Sequence, residues 1–252
     1  MALGEGNLRD QLRAFAAGDI SDAALIRRLV QHRRWFVAAT PSGNRYDVCS
    51  YMATGDAECL WLFSDSDAAG ESSQEYGADA IPCVLSDVDG VDLLGGIPVS
   101  YARVVVNPSS QQSVEIERER YPALHRMSQA VTLERAIAKP DGGERFRSLL
   151  KNYDNYQVVY RPRPGQPPAL LGTHNDEGES FVLIFTESDC TEAFFDHSSE
   201  QRHRMDVRRL AGTELFQLLP HTMLTGMVFN CHGPGPSAAF KMEICGKILA
   251  AV

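Results

Sequence analysis

Long apolar runs are missing from this 252-residue chain, and none approaches the roughly 18 residues that a membrane-spanning helix needs. A membrane is therefore not an expected partner. The start, Met1-Ala2-Leu3-Gly4-Glu5-Gly6, lacks a basic stretch followed by an apolar core, so no secretory leader is expected and the location reads as cytoplasmic. Lysine is scarce and arginine supplies most of the positive charge, which suggests a bacterial genome rich in G and C. A net basic field is also missing. Net charge is −9, residues 1–122 holding 10 Lys+Arg against 18 Asp+Glu and residues 123–252 holding 14 against 15. Most non-specific affinity for nucleic acid comes from such a field, so nucleic acid is excluded as an expected partner.

The common chemical signatures are absent as well. The six cysteines, Cys49, Cys59, Cys83, Cys190, Cys231 and Cys245, include no Cys-x-x-Cys spacing. They read as small buried hydrophobes. Seven histidines form no His-x-x-x-His pair, which removes the usual helical zinc spacing. No Gly-x-Ser-x-Gly elbow is found, and Gly95-Gly96 and Gly142-Gly143 are isolated pairs rather than a phosphate-cradling loop. No catalytic residue, metal site or cofactor is indicated.

What is present is an internal repeat. Phe63-Ser64-Asp65-Ser66-Asp67 is answered by Phe185-Thr186-Glu187-Ser188-Asp189, Gly90 by Gly212 and Pro98 by Pro220, each 122 positions later. Val104-Val105-Val106-Asn107 is matched by Met227-Val228-Phe229-Asn230 at 123. A period this long implies tandem domains, not a solenoid of units of roughly 20–50 residues. The expected organisation is α+β: two tandem copies of a small mixed-sheet domain with helices, over residues 1–119 and 120–252. The charged segment Glu117 to Pro122 is the expected linker.

Each copy follows the same grammar. Leu8–Ala17 and Ala23–Val30 carry apolar residues at helical spacing, as do Ser128–Ile137 and Phe146–Leu150. Trp35–Ala39 and Gln157–Tyr160 read as strands, the second closed by Pro162, Pro164, Gly165, Pro167 and Pro168. Leu60–Phe63 and Val182–Phe185 are continuous apolar runs, expected to be covered on both faces. Ser64-x-x-Asp67 and Thr186-x-x-Asp189 fit a capping box for helices over 66–77 and 188–197. Shorter strands are expected at 81–86 and 204–210. Short helices follow at Asp92–Leu94 and Glu214–Phe216, then strands at Val104–Val106 and Met227–Phe229. Final strands are expected at Val114–Ile116 and Met242–Ile244.

Three places carry residues with chemical potential. Asp65-Ser66-Asp67 after a strand resembles the Asp-x-Asp of aspartate phosphoryl-transfer enzymes, but Glu187 replaces the first Asp in the second copy and capping accounts for the rest. Cys231-His232 puts a thiol beside an imidazole in a Gly/Pro loop. Neighbours on an extended chain point apart, so a plain turn is the simpler reading. The third is a charge contrast. Asp79 to Asp87 is apolar and acidic, whereas its counterpart Arg202, Arg204, Arg208 and Arg209 is strongly basic. Asp79, Asp87 and these arginines form a candidate interaction surface, complementary between halves or between protomers.

The order of an apolar strand ending in Phe63–Asp67, a helix, the Gly90–Leu94 turn and the strand Val104–Pro108 resembles the N-terminal domain of the SseB (enhanced serine sensitivity) family. A second copy runs through Phe185–Asp189, Gly212–Phe216 and Met227–Asn230, departing where Cys231 replaces Pro108. The resemblance implies a bacterial α+β protein without established catalysis, some relatives being linked to secretion systems. The expected function is a non-catalytic adaptor or accessory protein whose partner is another protein or a second copy of itself. The alternative is a hydrolase or transferase with a site between the repeats that uses Cys231 and His232.

Overall fold

The computed structural model describes residues 7–42, 45–48, 50–53, 57–76, 88–198, 200 and 202–251. The expected strand at 81–86, with Asp79 and Asp87, lies outside the described residues. The fold is α+β, and the chain divides into two compact units, Leu3–Gln129 and Ala130–Val252.

In the first unit, α1 (Leu8–Ala16) and α2 (Asp22–Gln31) begin where short polar side chains take up orphan amides. Asn7 accepts from the Arg9 N–H and Ser21 from that of Ala24. Their apolar faces bury Leu8 and Leu12, and Leu25, Ile26, Leu29 and Val30. β1 (Phe36–Val37), the hairpin β2 (Ala39–Ser42) and β3 (Arg45–Val48), β4 (Ser50–Ala53) and β5 (Ala57–Phe63) follow. Next come α3 (Ser66–Tyr76), α4 (Gly90–Gly95), β6 (Arg103–Val106), β7 (Val114–Glu117) and α5 (Tyr121–Ala138). The sheet order is β1-β5-β6-β7, with β4 also on β5. β5 and β6 run parallel inside an otherwise antiparallel sheet.

The second unit takes the latter half of α5, then α6 (Glu144–Asn152), β8 (Tyr156–Arg163), β9 (Gln166–Leu170), β10 (Gly172–His174) and β11 (Ser180–Phe185). It continues through α7 (Ser188–His197), β12 (Asp206–Leu210), α8 (Gly212–Leu218), β13 (Gly226–Phe229), β14 (Ala238–Lys241) and α9 (Ile244–Leu249). Its sheet order is β12-β8-β11-β13-β14, with β9 on β8 and β10 on β11. Again the central pair, β11 and β13, is parallel.

The two units use the same contacts at matched positions. Leu60 is opposite Val104, and Val182 is opposite Met227. Ser50 is opposite Leu60, and Gly172 opposite Val182. Trp35 is fully buried and donates its indole N–H to the Leu29 carbonyl at 3.3 Å; Tyr156 is fully buried and donates its hydroxyl to the Leu150 carbonyl at 3.0 Å. Gly90 and Gly212 occupy matched close backbone approaches. A Cβ on Gly90 would stand 2.6 Å from the Leu29 carbonyl oxygen, and one on Gly212 would stand 2.4 Å from that of Leu150. Only glycine fits such a contact.

Some elements differ from the sequence reading. The charged segment is no linker: Glu117 ends β7, Arg118–Arg120 make one 3-10 turn, and Tyr121 starts α5. The division into units falls inside that helix, after Gln129, rather than at 119/120. Pro164 and Gly165 form the turn that ends β8, but the other prolines do not break the ladder. Pro162 lies within β8, Pro167 and Pro168 lie within β9, and a register shift between Arg161 and Arg163 accommodates the missing donor. The last strand of the second unit is Ala238–Lys241, opposite β13, and Met242–Ile244 instead turns into α9.

Candidate functional site

Both parallel strand pairs end in the same polar lock. Asn107 and Asn230 sit at φ 50, a left-handed conformation that Asn tolerates better than most residues. Each donates its backbone N–H across the parallel pair, to the Leu62 carbonyl at 2.8 Å and the Ile184 carbonyl at 2.9 Å. Each side-chain oxygen accepts the amide N–H of the facing strand's last hydroxyl residue, Ser64 at 2.8 Å and Thr186 at 2.9 Å. Each side-chain NH2 then donates to that hydroxyl, at 2.9 Å and 3.0 Å. The hydroxyls are thus held by asparagine and are not the helix caps. Asp65 caps α3, accepting from Ala68 N–H at 2.9 Å, and Glu187 accepts from Ser188 N–H at 3.1 Å at the start of α7.

The acid that follows β5, Asp65, is fully committed. Arg9 from α1 donates to both oxygens of Asp65, at 2.9 and 2.8 Å, and a further donor reaches Glu71 at 3.0 Å. Burial alone would raise the Asp65 pKa, but the bonds from Arg9, the Ala68 amide and the Ser64 hydroxyl outweigh it and hold it below the usual carboxylate value. A charge so bound is a structural anchor between α1 and α3.

In the second unit the equivalent lock rests on a residue the sequence reading overlooked. Glu134, on α5, is 2% exposed and accepts from the Thr186 hydroxyl at 2.5 Å. The Gly/Pro loop closes over it: a Cβ on Gly235 would stand 2.7 Å from the Glu134 carboxyl carbon. The signal in the sequence was a single acid between Leu133 and Ile137 on a buried helix face.

Cys231 and His232 follow directly, and they do not act on each other. Cys231 is half-buried and packs against the cluster of Val159, Leu183, Phe185, Cys190 and Phe194. Burial pushes its thiol pKa up, the opposite of what a nucleophilic thiolate needs. His232 sits at φ 60, is exposed, and stacks on His197 with ring centroids 6.0 Å apart. Among the described residues no hydrogen bond joins the two side chains. The left-handed turn itself is not peculiar to this loop, since Ser109 adopts φ 67 in the first unit.

The basic segment is organised around β12, which among the described residues ends its sheet and pairs only with β8. Arg202 and Arg204, in a 3-10 turn just before the strand, and Arg208 and Arg209 within it are exposed. The Arg208 guanidinium lies over the Tyr160 ring at 4.8 Å while its Nε donates to Asp206 at 2.7 Å. Arg202 lies over Phe195 at 5.4 Å. Burial is the largest influence on the Tyr160 hydroxyl, whose pKa is raised. Arg161, on β8, pairs with Glu200. Among the described residues, Arg202, Arg204 and Arg209 have no ion-pair partner. The aromatic platforms Tyr160 and Phe195 were not legible as such, because their pairing with arginine depends on sheet register and on α7.

Among the described residues, no cluster of three or more His, Cys, Asp or Glu side chains is placed to hold a metal ion, and no helix is long and apolar enough to cross a membrane. No family model and no curated protein matches the chain. Among solved structures, a chain described as Anabaena Tic22 (protein transport) aligns over 81% of this chain and 88% of its own, at 9% identity and a TM-score of 0.22. A likeness at that level carries no argument about fold or function.

Proposed function

We propose that this protein is a non-catalytic protein-interaction module, an adaptor or accessory protein built from two diverged copies of one SseB-like domain. The observation that carries the proposal is the β12 edge: an end strand with exposed Arg208 and Arg209, and exposed Arg202 and Arg204 just before it. Edges of this kind leave backbone donors and acceptors free for a partner strand. The matched contacts at the strand ends and glycines support duplication, because they recur at nearly one offset along the chain. The placement of Cys231 and His232 supports reading their loop as structural. The acidic net charge and the short apolar runs support a protein partner or a second copy over nucleic acid or a membrane. A secretion-associated setting rests on the family resemblance.

The test is quantitative capture of partners from a bacterial extract by wild type and by the Arg208→Glu/Arg209→Glu variant, at low and high salt, with size measured alongside. Partner recovery or self-association that is lost on charge reversal and weakened by salt is expected. Equal behaviour of the two proteins in both assays would overturn the proposal.

A further inference from the structure

We infer that β12 receives an extended acidic segment of a partner protein as an added strand, and that the segment presents two adjacent acidic residues to it. The inference rests on the interaction-module reading and specifies its ligand. Among the described residues β12 is an end strand of its sheet, and it spans five residues, Asp206–Leu210, enough for about 17 Å of backbone pairing. Successive side chains on a strand point to opposite faces. Val207 packs against the cluster that includes Phe195, on the α7 side of the sheet, so Arg209 shares that face. Arg208 stands on the opposite face, over Tyr160. The arginines therefore flank the edge on both faces, and an incoming strand would meet them with consecutive residues, one per face, rather than with alternate ones.

The charge at the edge is held ready. Tyr160 and Phe195 carry the guanidinium groups of Arg208 and Arg202 in cation–π contact, which limits the rotamer freedom lost on binding. Asp206 already engages one donor of Arg208, whereas among the described residues Arg202, Arg204 and Arg209 have no ion-pair partner. Planar guanidinium groups bind carboxylates through paired hydrogen bonds. Backbone pairing supplies affinity and the flanking side chains supply selectivity, as in other recognition by strand addition.

The test uses a fluorescent nine-residue peptide with two central glutamates between valines and threonines. Its controls are a form with lysines in place of the glutamates, a form with proline beside the glutamate pair, and a single-stranded oligonucleotide of nine nucleotides. Fluorescence anisotropy of the full-length protein is expected to show saturable binding of the glutamate peptide that weakens with salt. The Arg208→Glu/Arg209→Glu variant, with circular dichroism confirming its fold, should bind on the order of tenfold more weakly. The proline and lysine peptides should lose binding likewise. No binding of the glutamate peptide up to about 1 mM overturns the inference. So does equal binding of the proline peptide, which would leave charge without strand pairing, or tighter binding of the oligonucleotide. If the peptide fails while extract capture still depends on Arg208 and Arg209, strand addition is wrong and the interaction-module reading survives.

Discussion

Asn230 does three jobs at one position, and a change there should expose all of them. Its backbone takes a left-handed turn, its amide closes the parallel pair, and its side chain holds Thr186 by both backbone and hydroxyl. The residue is fully buried. Asn230→Ala leaves the Thr186 amide without its acceptor and removes a donor to its hydroxyl. The expected loss is about 2–3 kcal/mol, read by urea unfolding, and Asn107→Ala should cost a similar amount because Ser64 replaces Thr186 in the same geometry. The sequence showed that Asn recurs, and suggested a turn. It did not show that the side chain reaches a residue more than 40 positions away, because only the parallel register brings Ser64 to Asn107.

At the scale of elements, the Arg9–Asp65 pair ties α1 to the start of α3, and its pH dependence has a definite sign. Asp65 is held below its ordinary pKa in the folded chain. Its contribution is therefore fully present above the unfolded carboxylate value, about 3.9, and is lost as pH falls through the lower, folded value. Comparing wild type with Asp65→Asn by thermal unfolding from pH 7 down to pH 1.5 should show a steady difference above the unfolded value and a shrinking one as pH falls below it. A constant difference across that range would show that the charge is not what anchors the helix. The helices α1 to α4 and α6 to α8 were legible because apolar spacing and polar helix starts are local. The final strand was not: Ala238-Ala239-Phe240-Lys241 has weak strand propensity and becomes β14 by pairing with β13, while the alternation of Met242-Glu243-Ile244 has no strand beside it. Likewise Pro162, Pro167 and Pro168 read as breakers locally, yet the β8–β9 hairpin places them where the ladder tolerates a missing donor.

Across the whole chain, common and diverged positions separate by role. The matched glycines, asparagines and buried strands hold each unit together, and these residues recur along the sequence at a spacing of 122 or 123. The differences lie at the surface and in the loops: the arginines at β12 and the Cys231–Pro236 loop. The arginines could be listed from sequence, but that they flank a sheet edge on two faces, over Tyr160 and Phe195, comes from pairing across β8 and packing on α7. The direct test of where function resides sets the two diverged features against each other: partner capture by Arg208→Glu/Arg209→Glu and by Cys231→Ala/His232→Ala, each quantified against wild type in one extract. The account predicts that charge reversal abolishes capture and that the loop variant retains it. Retention by the charge-reversed protein together with loss in the loop variant would contradict it.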